Sequence, residues 1–345
     1  EWEISLFPVI SGSPTSELMP NHVHVIATHG EIRPQSKSSA KQLSRAIEAI
    51  QPDIVHSLEF QHASYLTLRA KDKLKDFPYW VASNWGSDIY YYQHLKKHRE
   101  EIEGVLQGID ALVVECQRDS ELARRLGFSK AIFVSVNSGG VDLKATKGVA
   151  APLVKSTSIL LKGYEHFAGR ALSALRAIRT VSDAVPGLSV KVFSASVETF
   201  NLIERMGQEE KLDLKIVPYT TNEKLLREFA NSEIYLGVSV SDGLSTSAIE
   251  AMAQGAFPIQ SNTSCAGEWI THGFNGFLVD PLSHSEIVNA LISALKNQQL
   301  RKAAAAFNAN LVSKHFDTRI VATEIRSFYS SLELDYSQVQ AIGKA

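Results

Sequence analysis

The chain has 345 residues, more than one ordinary domain holds and comfortable for two. Its 44% hydrophobic and 21% charged residues suit a folded globular protein, and 35 Lys plus Arg against 37 Asp plus Glu leave a net charge of -2, which offers no overall field for nucleic acid. No apolar run reaches membrane-spanning length, no signal peptide is visible, and the two cysteines, Cys116 and Cys265, give neither a metal-ligand spacing nor a disulfide framework, so a reducing compartment is expected.

Short apolar runs rich in Val and Ile alternate with helical patterns along most of the chain. The predicted strands of the first half are Ile4–Ile10, Val23–Thr28, Ile54–Ser57, Tyr79–Ser83, Ala111–Glu115 and Ile132–Val136. Between them lie helical patterns such as Ser39–Ile50, with Leu43, Ala46, Ile47 and Ile50 at i, i+3, i+4 and i+7. Ser138–Ser156, with Gly139-Gly140, Gly148 and Ala150-Ala151-Pro152, reads as the boundary between two domains. The second half continues with strands at Ser158–Lys162, Ser189–Phe193, Leu214–Val217, Ile234–Val238, Phe257–Gln260 and Gly276–Val279. Helices are predicted there at Ala168–Val181, Glu223–Ala230 and Leu244–Gln254, successive helices over Ser283–Leu332, and a loose tail after Glu333. Strand–helix alternation of this kind argues for βαβ units and doubly wound parallel sheets, which bind ligands at their strand C-terminal ends.

The stretch Ser241-Asp242-Gly243-Leu244-Ser245-Thr246-Ser247-Ala248-Ile249-Glu250-Ala251-Met252-Ala253 carries the strongest chemistry. It follows an apolar strand and opens a helix, whose free N–H groups favour a phosphate. Asp242 would sit beside that site and Glu250 about two turns down the same helix. The bland reading is a surface loop with Asp242 as N-cap. Against it, a carboxylate inside so apolar a helix needs a partner.

Segment 241–259 resembles the donor-site signature of GT-B retaining glycosyltransferases, family 4 in particular, whose pattern is Glu-Gly-Phe-Gly followed by Glu-Ala-Met-Ala-x-Gly-x-Pro-Val. Gly267-Glu268-Trp269-Ile270 and His272-Gly273-Phe274-Asn275-Gly276-Phe277-Leu278-Val279 are similar to the family's closing Pro-Glu-Ile and Gly-x-Asn-Gly-Leu-Leu-Val, and Asn137-Ser138-Gly139-Gly140-Val141-Asp142 to its Asn-Gly-Val-Asp before the interdomain linker. The match is specific over 241–279 and weak in the first half. Asp242 stands where the family usually has the first Glu of its Glu-x7-Glu pair.

The resemblance implies two Rossmann-like doubly wound α/β domains facing across a cleft, with C-terminal helices. Residues 1–150 would form the acceptor-side domain, 151–325 the nucleotide-sugar domain, and 326–345 a helix or tail packing back on the first. Asp242 and the Gly243-Leu244-Ser245-Thr246 backbone would hold the donor sugar and its phosphates, and Glu250 the ribose hydroxyls. The cations expected beside the diphosphate are found as Lys162-Gly163 and Gly169-Arg170, in altered order, with Arg170 preferred because it lies near a helix start. Solvated loop cations are the alternative.

Tyr219, in Pro218-Tyr219-Thr220-Thr221-Asn222-Glu223, would border the nucleobase or merely cover the core. In Ala82-Ser83-Asn84-Trp85-Gly86-Ser87-Asp88-Ile89-Tyr90, Asp88 would orient acceptor or sugar, or cap the next helix; Trp85, His56, Glu59 and His62 are further acceptor-side candidates. The family's N-terminal Gly-rich loop has no good match: Ser11-Gly12-Ser13 is a poor substitute, so either a first strand precedes Glu1 or the chain departs from the family there.

The expected function is therefore transfer of a sugar, retaining and without a metal, from a nucleotide diphosphate sugar (UDP- or GDP-linked) to a hydroxyl of a glycan, lipid-linked or small-molecule acceptor. Asp88, Arg170 and Asp242 are the expected catalytic groups. No Asp-x-Asp asks for a metal, no Gly-x-Gly-x-x-Gly follows a strand, and neither His22/His24 nor His94/His98, placed at i,i+4 on one helix, has a third ligand. Tyr90-Tyr91-Tyr92 with Lys96-Lys97-His98-Arg99 would give at most a weak peripheral membrane contact, a solvated helix face being preferred. A cytoplasmic location follows, at most at the inner face of a membrane. A nucleotide-sugar 2-epimerase on the same fold, or a non-catalytic GT-B subunit, are the rival readings.

Overall fold

The computed structural model describes residues 2–9, 20–136, 138–148, 157–206 and 212–342. Ser11-Gly12-Ser13, Asn137 and the second half of the expected linker, 149–156, lie outside them. The chain divides into two compact units, residues 1–137 with 332–345, and residues 138–331.

The first unit contains strands β1 (Ile4–Leu6) and β2 (Val23–Val25), then α1 (Lys37–Ile50), β3 (Ile54–Leu58), α2 (Tyr65–Lys71), β4 (Tyr79–Ser83), α3 (Ser87–Tyr90), α4 (Lys96–Gly108), β5 (Ala111–Val114), α5 (Gln117–Arg125) and β6 (Ala131–Val134). Strands β3 to β6 form a four-stranded parallel sheet in chain order, and β1 pairs with β2 in a separate two-stranded sheet. β1 stops at Leu6, short of the expected Ile10; Pro8 brings no N–H to a ladder. Trp80, Ala82, Leu112 and Val114 alternate onto one sheet face, where they meet Tyr65, Ile89, Ile102, Val105 and Leu106 from the helices. α1 begins with Ser36 accepting from the Ser39 N–H, and buries Leu43 and Ile47 against Leu66 and Ala70 of α2.

The second unit contains α6 (Leu143–Gly148), β7 (Thr157–Lys162), α7 (Ala171–Ala184), β8 (Ser189–Phe193), α8 (Val197–Met206), β9 (Asp213–Ile216), α9 (Asn222–Asn231), β10 (Ser232–Gly237), α10 (Thr246–Ala253), β11 (Phe257–Ser261), β12 (Phe277–Val279), α11 (His284–Lys296), α12 (Gln298–His315) and the first part of α13 (Thr318–Ile342), whose residues from Leu332 on are counted with the first unit. Its six strands are all parallel, in the order β12-β11-β10-β7-β8-β9. The chain winds one way from β7 to β9, then returns to start again at β10. The order therefore reverses between β7 and β10, the point where such sheets leave a crevice for ligands.

Both faces of this sheet are covered, which is why its strands read as apolar runs. Ile159, Leu161, Ile234 and Leu236 pack with Leu175, Ile178 and Val181 of α7 and Ile287 and Leu291 of α11. Leu160 and Tyr235 point the other way, to Leu226 and Phe229 of α9 and Ala248 and Ala251 of α10. Residues 138–148 belong here because Val141 exchanges backbone bonds with Phe316 and Thr318 (2.7 and 3.1 Å).

Several boundaries differ from the sequence reading. α7 starts at Ala171 rather than Ala168, because residues 163–170 form a loop held against the end of β10. The tail expected to be loose after Glu333 continues α13 to Ile342. His94 closes a short 3-10 turn and His98 sits in α4, with extended Leu95 between them, so they do not share a helix. No helix of the described residues is long and apolar enough to cross a membrane.

Candidate functional site

The signature segment occupies the crevice at the switch point. Lys162 ends β7 and Asp242 lies in the loop after β10, the adjacent strand, and their Nζ and Oδ2 are 3.5 Å apart. Burial would lower the Lys162 ammonium pKa, yet the Asp242 carboxylate, together with Tyr235 and Tyr164, holds it above its usual value. The ammonium also lies 5.4 Å from the centre of the Tyr164 ring.

α10 begins at Thr246, with Ser245 at the N-cap but making no side-chain cap bond, so Asp242 precedes the helix by a loop and Glu250 sits just over one turn in. This corrects the expected two-turn separation: Ser241–Leu244 stays non-helical while Asp242 bonds its neighbour's Gly243 N–H (2.9 Å). The N–H groups of Ala248 and Ile249 turn back to the Ser245 carbonyl, and those of Thr246 and Ser247 find no acceptor among the described residues. A positively polarised helix end is thus left open beside Lys162. Beneath it, the buried Tyr235 hydroxyl bonds the Ser247 and Ser245 hydroxyls (3.0 and 3.4 Å), tying the sheet to the helix start.

Glu250, further along α10, accepts from Asn222 Nδ2 at 2.7 Å. Burial raises its pKa and the Asn222 bond offsets part of that rise. Asn222 opens α9, so the loop carrying Tyr219 is fastened next to Glu250, and the Tyr219 ring is fully exposed there.

The loop 163–170 covers the end of β7. Gly163 is required by close approach: a Cβ there would lie 2.7 Å from Val192 Cγ1 and 2.8 Å from Ala195 Cα. The structure places the two expected cations differently: Lys162 pairs with Asp242, and Arg170 does not. The Arg170 guanidinium curls onto the carbonyls of Gly169, His166 and Phe167 (2.6, 3.0 and 3.4 Å). The α7 N-terminus it was expected to share with a phosphate already holds Glu165, whose Oε2 accepts the Leu172 N–H at 2.9 Å.

In the first unit, the predicted residues are drawn together but toward one another. Glu59, in a left-handed backbone (φ 80°), caps a π-helical turn at Phe60–Ser64 by accepting from the Gln61, His62 and Ala63 N–H groups. His62 Nδ1 lies 3.1 Å from it. Asp88 Oδ2 accepts from Trp85 N and Phe60 N (2.8 and 3.0 Å), joining the loops after β3 and β4. Burial, then the nearby Glu59 charge, lifts the Asp88 pKa well above the usual carboxylate range. His56 Nε2 is 2.7 Å from Ser83 Oγ, and burial pushes its pKa down to about 4. Trp85 presents a half-exposed ring. Tyr90 lies under the Arg118 guanidinium (4.1 Å) and Tyr92 against His98 (4.7 Å), so these aromatics serve the unit itself rather than a bare face.

Residues 174–310 match the family described as glycosyl transferases group 1, and residues 8–116 match glycosyl transferase 4-like. The protein carries the glycosyl transferases group 1 domain on a GT-B fold. Over 111 residues, 32% of this chain and 28% of the relative, it is 29% identical to an uncharacterized glycosyltransferase of Methanocaldococcus jannaschii. The matched stretch is thus under a third of that relative's length. Among solved structures, sucrose-phosphate synthase from Thermosynechococcus elongatus superposes with a TM-score of 0.78 over 97% of this chain and 90% of its own, at 15% identity. Anabaena HepE in complex with UDP-glucose does so with a TM-score of 0.71, over 90% and 86%, at 16% identity. At such identities the likeness is one of fold.

Sequence reasoning missed four residues at this site. Asn222 lay inside the quoted 218–223 loop, but its pairing with Glu250 needed the third dimension. Tyr235 read as a strand residue. Gln260 has a buried Oε1 without a partner among the described residues, aimed across Gly237, and nothing in its strand signalled it. His166 lies between Lys162 and Arg170 in the chain, and nothing in the sequence singled it out.

Proposed function

We propose that the protein transfers a sugar from a nucleoside diphosphate sugar to an acceptor hydroxyl, with retention and without a metal. The observation that carries this reading is the Lys162–Asp242 pair beside the open α10 N-terminus at the switch point, with Glu250 and Asn222 one turn away. The Thr246 and Ser247 N–H groups and Lys162 would hold the two phosphates. Glu250 Oε2, which Asn222 leaves open, would accept from the ribose hydroxyls, and Tyr219 would border the base. Asp242 would take hydroxyls of the transferred sugar.

Acceptor attack occurs on the face that the diphosphate leaves, and a phosphate oxygen takes the hydroxyl proton. The protein's work is positioning and stabilising the charge that grows on the leaving group. A UDP-sugar is the first donor to try, because HepE is similar in fold and is described with UDP-glucose; a GDP-sugar is the second. On the first unit, Trp85 and His62 expose the groups best suited to an acceptor, while Asp88, Glu59 and His56 hold the loops that carry them.

Calorimetry with UDP-glucose and GDP-mannose tests this. The native protein binds one of them and Glu250→Ala does not. Absence of binding of either donor would sink the transferase reading, and conversion of the donor without acceptor would point to an epimerase instead.

A further inference from the structure

The loop 163–170 holds an imidazole in one chemical state. His166 Nδ1 accepts from the backbone N–H groups of Ala168 (3.1 Å) and Gly169 (3.3 Å). A backbone N–H only donates, so Nδ1 must present its lone pair, and the ring is neutral with its proton on Nε2. Burial, then the Lys162 charge, lowers the His166 pKa; Arg170 adds to this, while Asp242 and Glu165 pull the other way. The net lowering keeps the ring neutral at neutral pH.

The loop itself is fixed. Gly169 bridges to Ser239, Arg170 N bonds the Val238 carbonyl (2.9 Å), and Glu165 pairs with Arg170 through the backbone. The imidazole sits between the exposed rings of Tyr164 and Phe167, with centroids 5.6 and 5.1 Å away. The same Tyr164 ring lies under Lys162 Nζ, which pairs with Asp242. Nε2–H has no protein acceptor among the described residues. It is a donor held ready beside the switch-point crevice, next to a cation, while Arg170 is turned away.

We infer that His166 donates its Nε2–H to the diphosphate of the bound nucleotide, supplying with Lys162 the stabilisation that Arg170 does not. This rests on the reading that a nucleoside diphosphate occupies the crevice. The bond strengthens as negative charge grows on the leaving oxygens, and a neutral donor of fixed orientation needs no reorganisation at that moment.

The test uses the full chain with UDP, UMP, GDP and GMP by calorimetry, alongside thermal melting. His166→Asn keeps an oxygen near the Nδ1 position to accept the Ala168 and Gly169 N–H groups and removes the Nε2 donor; His166→Ala removes both. The native protein binds the diphosphate more tightly than the monophosphate of the preferred base. His166→Asn reduces that ratio about tenfold, leaving monophosphate affinity and melting temperature unchanged. A ratio preserved in His166→Asn, with melting lowered only in His166→Ala, makes His166 a loop anchor and overturns the inference while leaving the nucleotide reading standing. If the native protein binds none of the four, both fall together. Nitrogen NMR of the free protein checks the premise: a proton on Nδ1 in place of Nε2 also overturns it.

Discussion

The two units gather carboxylates and histidines at the ends of parallel strands, and they use them in different ways. In the first unit Glu59 accepts three backbone N–H groups and Asp88 two, so these acids fasten loops. In the second unit Glu250 takes one side-chain amide, Asp242 faces an ammonium as well as bonding the Gly243 N–H, and a helix N-terminus stands open near them. A carboxylate surrounded by backbone donors builds structure. One placed beside a cation and unfilled N–H groups is, on the function proposed above, where a ligand would bind. The residue types are the same, and the partners decide.

The sharpest way to break this contrast is to remove an acid from each side. Asp242→Ala is expected to lower transfer by about 100-fold or more with little change in melting, measured as turnover of the preferred donor. Asp88→Ala should instead destabilise the protein by about 3 kcal/mol in denaturant unfolding, since it strands two backbone N–H groups. Asp88→Asn keeps an acceptor oxygen and sheds the buried charge. Because the folded pKa of Asp88 is raised, its favourable neutral form is present at low pH and lost as pH rises, so the Asn variant matches or exceeds native stability at pH 7. Equal damage from Ala and Asn would show that the charge, not the acceptor, matters.

A smaller effect tests the close packing under the second unit's loop. Gly163→Ala places a Cβ 2.7 to 2.9 Å from Val192, Ala195 and Phe193, so backbone must move, at about 2 kcal/mol and a lower melting temperature. An effect of similar size, seen only in acid, comes from His56. Its folded pKa of about 4 lies below the unfolded value near 6.5, so the unfolded chain takes up the proton first and stability falls as pH drops from 6.5 to 4. Native protein should lose on the order of 2 kcal/mol over that window relative to His56→Gln. A constant difference between the two across that range would show that His56 is not held neutral.

Much of the fold was legible because buried parallel strands must be apolar and their covering helices amphipathic. Tyr79–Ser83 and Ser189–Phe193 fall where the apolar runs place them. The misjudged edges have local causes. Pro8 follows the end of β1, and the α7 start moved because residues 163–170 bond to β10, a strand some seventy residues away. The π-helical turn after β3 could not be read at all, since it depends on Glu59 adopting a left-handed backbone and capping three N–H groups.

The candidate site divides in the same way. The sequence by itself determined that Asp242, Glu250 and a helix start lie close together, because they are covalently near and the flanking runs demand strand, turn and helix. Only the tertiary structure decided which cation joins them. Lys162 and Arg170 are equally cationic in the sequence, but β7 lies beside β10, which brings Lys162 to Asp242, while Arg170 satisfies the carbonyls of its own loop. Neighbouring in a parallel sheet is set by crossover connections, not by chain distance, so the choice between two like charges was settled by topology.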